Sequence, residues 1–144
     1  MIDARTFFAA KLAYEIDAAD LAAARATGRP PVVVDTRSRA AWDQGHLPGA
    51  LHIPGGELAV RAARELPDLA ADIVVHCWGP GCNGATKAAH TLSAMGYRHV
   101  RELIGGYEYW AREGLSLAGA HGRFRREIDN LTAVAVEGAD SGVR

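Results

Sequence analysis

Two runs of β-branched residues constrain this chain more than anything else in it. Val32-Val33-Val34 and Ile73-Val74-Val75 are apolar at every position. Strand side chains alternate between faces, so only a strand covered on both faces can bury such a run. Each run stops at polar or turn residues, which predicts strands over 31–35 and 72–77. Shorter strand candidates lie at 13–16, 50–53 and 99–104, and helical stretches at 18–26 (behind an Asp17 cap), 57–65, 85–95 and 107–113. Strand and helix alternate, with Gly and Pro at the joints, as in Pro54-Gly55-Gly56 and Gly105-Gly106. Parallel neighbours need crossovers long enough to hold a helix, so the expected architecture is an α/β parallel sheet with helices on both faces.

The chain has 144 residues, enough for one ordinary core and too few for two. Sixteen Lys and Arg against 17 Asp and Glu leave a formal charge of −1, which supplies no field to gather nucleic acid or anionic lipid. No apolar run is long enough for a signal-peptide core or a membrane span, and the expected location is the cytoplasm. The expected organisation is a helical extension over 1–12, with Phe7, Phe8 and Leu12 as its apolar contacts, and a domain over 13–119. A C-terminal segment over 120–144 follows, holding a helix at 123–131 and a fraying end from 138. Arg123, Arg125 and Arg126 form the one basic cluster, read as a solvated helix face or as a docking site for an anionic donor or a protein partner not identified by the sequence.

Two cysteines five positions apart do not make a secreted disulfide framework, and in a reducing compartment they point to chemistry or to packing. Cys77 closes the second apolar strand, at the carboxyl end where open α/β sheets bind ligands. The segment Trp78-Gly79-Pro80-Gly81-Cys82-Asn83-Gly84 carries no charged side chain and runs straight into the helix expected from Ala85. Free backbone N–H groups and a helix N-terminus would cradle an anion there, and the same surroundings predict a lowered pKa for Cys77. The alternative is a small buried hydrophobe. Strand alternation turns His76 away from Cys77, and with no C-x-x-C pair a zinc site is not expected.

Val32-Val33-Val34-Asp35-Thr36-Arg37, then Gly45-His46-Leu47-Pro48-Gly49-Ala50, then the strand ending in Cys77, then Ile104-Gly105-Gly106 with Trp110 and Gly114-Leu115, resemble the rhodanese pattern in their order. The resemblance covers about residues 13 to 118. It implies a rhodanese-like fold, a five-stranded mostly parallel sheet flanked by helices on both faces, and sulfurtransferase activity without a cofactor. Carried over, Cys77 is the catalytic cysteine, and Trp78, Gly79, Gly81, Cys82, Asn83, Gly84 and Ala85 form the substrate-binding loop. Asp35, Arg37 and His46 are framework: the first two an ion-pair network with Asp43 or the next turn's backbone, the third a turn residue bonded to backbone. Trp78 stands either as a roof over the pocket or as packing.

The implied reaction takes sulfane sulfur from a small sulfur-containing anion such as thiosulfate, or from a persulfide, onto Cys77, and passes it to a thiol or cyanide. The loop departs from the family in being about two residues longer, and loop length sets which anion the backbone amides enclose. It also lacks the Arg that many members carry there and holds Cys82 instead, which leaves the donor open. A phosphatase or arsenate reductase would need a C-x5-R loop, but six on from Cys77 stands Asn83 and six on from Cys82 stands Ala88. A non-catalytic redox-sensing or interaction module is the other alternative. Cys82 is either space-filling or a resolving thiol, the latter requiring that its sulfur reach Cys77.

Overall fold

The computed structural model describes residues 1–135. In chain order it contains α1 (Ala4–Tyr14), β1 (Glu15–Ile16), α2 (Ala18–Arg25), β2 (Val32–Asp35), α3 (Arg39–Gln44) and β3 (Leu51–His52). A 3-10 turn (Gly55–Glu57) leads to α4 (Leu58–Glu65), β4 (Asp72–His76), α5 (Gly84–Ala94), β5 (His99–Leu103), α6 (Gly106–Arg112), β6 (Leu117–Gly119) and β7 (Gly122–Phe124). Three helices begin where a short polar side chain can satisfy a free amide. Asp3, Asp17 and Ser38 accept from the N–H groups of Thr6, Asp20 and Ala41.

Five strands form one sheet in the order β1-β5-β4-β2-β3, and all four pairings are parallel. The two apolar runs lie side by side at its centre, Val34 beside Val75 and Asp35 beside His76. Alternation divides their side chains between two cores. Val34, Ile73 and Val75 pack with α4 and α5. Val33 and Val74 pack with α2 and α6, against Leu21, Trp110 and Ala111. Cys77 belongs with the first set and His76 lies on the opposite face.

Two expectations are corrected. No helix forms over 123–131; β7 pairs antiparallel with β6, and residues 125–135 are irregular. Gly122, at φ +102, turns the chain in a left-handed conformation that suits a hairpin. Arg123-Phe124-Arg125 then alternates with period two, and Phe124 packs against the core. The helix at the N-terminus does form, but Phe7, Phe8 and Leu12 are exposed and belong to neither core, and none of the helix's residues is buried. Phe7 and Phe8 instead meet edge to face at 5.3 Å. The fraying end from 138 lies outside the described residues. Among the described residues no helix is long and apolar enough to cross a membrane.

Candidate active site

Cys77 follows directly on β4, the central strand, and is buried beneath the loop that leads to α5. The loop is fixed at both ends. At its start the N–H of Tyr107 donates to the Cys77 carbonyl (3.1 Å) and that of Glu108 to the Trp78 carbonyl (2.8 Å), so the first turn of α6 clamps the chain as it leaves the strand. Gly106 makes this approach possible. Its φ is +56, and a Cβ there would lie 2.7 Å from the Cys77 oxygen and 2.9 Å from the Trp78 carbonyl carbon. Further on, the Cys82 N–H donates to the Gly79 carbonyl at 3.0 Å, which turns Cys82 back toward Cys77.

The two sulfurs converge above the first residue of α5. A Cβ on Gly84 would stand 2.8 Å from Sγ of Cys77 and 3.4 Å from Sγ of Cys82, and the Gly84 N–H donates to the Cys82 sulfur at 3.4 Å. Both cysteines are free thiols. Asn83, the residue before the helix, makes no side-chain cap, so the α5 amides keep their donors directed at the loop.

This arrangement corrects the expected acidity of Cys77. Burial pushes the Cys77 thiol up and the neighbouring Cys82 sulfur adds to the effect, outweighing the Trp78 N–H and the Thr36 hydroxyl. For Cys82 burial acts in the same sense, but the Cys77 thiol, the N–H groups of Gly84 and Trp78, and the Lys87 charge prevail and lower it. The helix and loop amides do favour a thiolate here, the N–H of Trp78 acting on both sulfurs and that of Gly84 on Cys82.

Beneath the loop lies a buried polar cluster. Arg37 donates through Nη2 to Asp35 Oδ2 (2.8 Å) and to the Gly45 carbonyl (2.7 Å), with neither side chain of the ion pair exposed. The backbone of the next turn is thus the network's further partner, and Asp43 pairs with Arg39 on the surface. The Arg37 guanidinium sits 4.1 Å from the Tyr107 ring centre and 4.6 Å from that of Trp78. Trp78 therefore lies over Arg37, with one face partly exposed, and ties the framework to the start of the loop. His46 Nδ1 donates to the Trp42 carbonyl at 3.0 Å. His76 Nδ1 donates to the Cys77 carbonyl at 3.0 Å. Thr36, between Asp35 and Arg37, donates to the His76 carbonyl at 2.9 Å and faces the thiol.

Above the sulfurs opens a cleft of about 980 Å³. Cys77, Gly79, Gly81, Cys82, Asn83 and Ala85 line it, whereas Trp78 does not and Gly84 forms the ledge under the sulfurs. The wall holds Tyr109 and four carboxylates that motif reading did not reach, Glu15, Asp17, Glu102 and Glu113, with Lys11 the one cation among the described lining residues. Lys11 is paired with Glu15 at 2.9 Å, and Glu102 accepts from Thr86 at 2.9 Å. Burial, then the Asp17 charge, raise the pKa of Glu113. The available signal was positional: Asp17 and Glu102 lie at or near carboxyl ends of paired parallel strands, where ligands collect.

The Rhodanese-like domain model matches residues 17–113. A sulfurtransferase of Allochromatium vinosum is 33% identical over 108 residues, covering 75% of this chain and 97% of that protein. The thiosulfate sulfurtransferase GlpE of Pseudomonas fluorescens is 37% identical over 81 residues, covering 55% of this chain and 69% of its own. Among solved structures, the BH2092 protein of Bacillus halodurans superposes with a TM-score of 0.74 at 39% identity, over 83% of this chain and 86% of that one. The parallel α/β sheet, the cysteine at the end of its central strand and these matches agree: the chain belongs to the rhodanese-like domain family.

Proposed function

We propose that this protein is a sulfurtransferase that carries sulfane sulfur as a persulfide on Cys77. The observation that carries the reading is the seat of the Cys77 sulfur, at the end of β4, within reach of the Trp78 N–H and against Gly84 at the uncapped N-terminus of α5. A persulfide is an anion at neutral pH, and fixed N–H groups stabilise the charge as it shifts from the entering to the departing group. With thiosulfate as donor, the Cys77 thiolate attacks the outer sulfur, the S–S bond breaks, and sulfite leaves with the electron pair. An acceptor thiolate or cyanide then attacks the outer sulfur of the persulfide, and the Cys77 thiolate departs.

Burial holds the Cys77 thiol up, so Cys77 must give up its proton as it attacks the donor. The cleft also bears on the donor. Its carboxylates repel the thiosulfate dianion more strongly than the singly charged persulfide group of a thiol or protein donor. A C-x5-R loop, which phosphoryl and arsenate chemistry requires, is lacking, so phosphatase activity is not part of this reading.

The experiment is sulfide release from thiosulfate with a dithiol as acceptor, comparing the parent with Cys77→Ser. We expect turnover in the parent and a loss of at least about a hundredfold in the variant, because serine offers no thiolate. Equal rates in the two proteins would overturn the assignment of Cys77 as the catalytic residue. A parent that neither turns over nor takes up sulfur would favour a redox-sensing module.

A further inference from the structure

Cys82 stands where a rhodanese loop needs no second thiol, and its position is specific. The Cys82 N–H bond to Gly79 folds the loop back, and a single methyl group on Gly84 would lie against both sulfurs. Gly84 thus leaves open the space across which the two sulfurs face each other. Cys82 is partly exposed to the cleft and Cys77 lies deeper.

We propose that Cys82 is a resolving thiol: once Cys77 carries a sulfur, Cys82 attacks Cys77 Sγ, expels the outer sulfur as sulfide and leaves a Cys77–Cys82 disulfide. The step rests on the reading that Cys77 is persulfidated. It balances as Cys77–S–S⁻ plus Cys82–SH giving the disulfide plus HS⁻. The two cysteine thiols are oxidised and the sulfane sulfur is reduced. An external dithiol, or two monothiols, then reduces the disulfide and becomes a disulfide itself. Over one cycle with thiosulfate the products are sulfite, sulfide and an oxidised acceptor, in place of sulfite and an acceptor persulfide. The chain then acts as a reductive sulfide-releasing enzyme, and its acceptor class narrows to reducing thiols.

Several features favour this step over simple packing. The Gly84 N–H hydrogen-bonds the Cys82 sulfur, and the nearby Lys87 charge favours its thiolate, the form that attacks a disulfide-like bond. The expelled sulfide is a good leaving group and has the open cleft above it. The carboxylates of the cleft wall help to drive out HS⁻.

The test is made on the full chain without oxygen. Reduced parent, Cys82→Ser and Cys77→Ser are each incubated with thiosulfate and no added thiol, then separated from small molecules and measured by mass and peptide mapping. In the parent we expect the loss of two hydrogen masses, a peptide cross-linked through Cys77 and Cys82, and one equivalent of sulfide. In Cys82→Ser the extra sulfur should stay on Cys77 with a lifetime at least about tenfold longer. A parent that retains its extra sulfur on Cys77 as long as Cys82→Ser does, with no cross-linked peptide, overturns the resolving role and leaves the persulfide reading intact. Extra sulfur on Cys82 of the parent overturns it in favour of a relay from one cysteine to the other. If Cys82→Ser takes up no sulfur at all while Cys77→Ser does, the persulfide assignment to Cys77 fails, and the resolving role with it.

Discussion

Asp35 and Arg37 bury a carboxylate and a guanidinium with neither side chain exposed. Removing one partner leaves the other charge unpaired, so Arg37→Ala should cost about 3–5 kcal/mol, read from denaturant melts. It should also loosen the loop, because Trp78 rests on the same guanidinium. His76 lies on the same sheet face, fully buried, with Nε2 at 3.8 Å from Asp35 and no hydrogen-bond partner for that nitrogen. Burial depresses its pKa below the ordinary 6.5, against the pull of Asp35. The unfolded chain therefore takes up a proton near pH 6.5 that the folded chain refuses. Its contribution is complete above that pH and declines as pH falls toward the folded value, by up to about 1.4 kcal/mol per pH unit. His76→Gln should remove this decline from the difference between melts at pH 7 and pH 5.5; an unchanged decline would show that another group is responsible. Cys77 and the opposite orientation of His76 were legible in the sequence, because an apolar run and strand alternation place them. The protonation of the thiols was not, since it depends on where a loop folded by turn hydrogen bonds places a second sulfur.

At the scale of elements, the clamp of α6 on the exit of β4 makes Gly106 the position least tolerant of a side chain near the site. Gly106→Ala should destabilise by more than about 2 kcal/mol, since a left-handed residue gains a Cβ against backbone atoms that cannot move aside. It should also lower Cys77 loading. Gly28→Ala, with nothing within 4 Å of the added atom, should fall within about 1 kcal/mol of the parent. The order of strands and helices could be read from β-branched runs and caps, because those signals are local. The hairpin of β6 and β7 could not: three arginines suggested a solvated helix face, and only the turn at Gly122 and the contact of Phe124 with the core decide for strand. The same limit applies to α1, whose helical pattern is local but whose exposure is a tertiary fact.

Over the whole molecule the net charge of −1 conceals an uneven distribution, with four carboxylates and one paired lysine around the cleft. Thiosulfate turnover should therefore rise with salt, by about two- to fivefold from low to moderate ionic strength, as screening weakens the repulsion. Glu102→Gln should raise kcat/KM at low salt and flatten that dependence; a fall with salt in the parent would mean that the cleft attracts anions after all. These carboxylates went unread in the sequence because Glu15 and Asp17 lie far along the chain from Glu102 and Glu113, and only the sheet order brings them together. Sulfur transfer by this chain depends on one chemical event, the gain of a sulfur by Cys77. The most direct measurement is the mass of Cys82→Ser, whose one remaining cysteine is Cys77, after thiosulfate at moderate salt and removal of small molecules. We expect a gain of one sulfur that cyanide removes as thiocyanate, restoring the original mass. Protein of unchanged mass, or a gain that cyanide leaves in place, would contradict it.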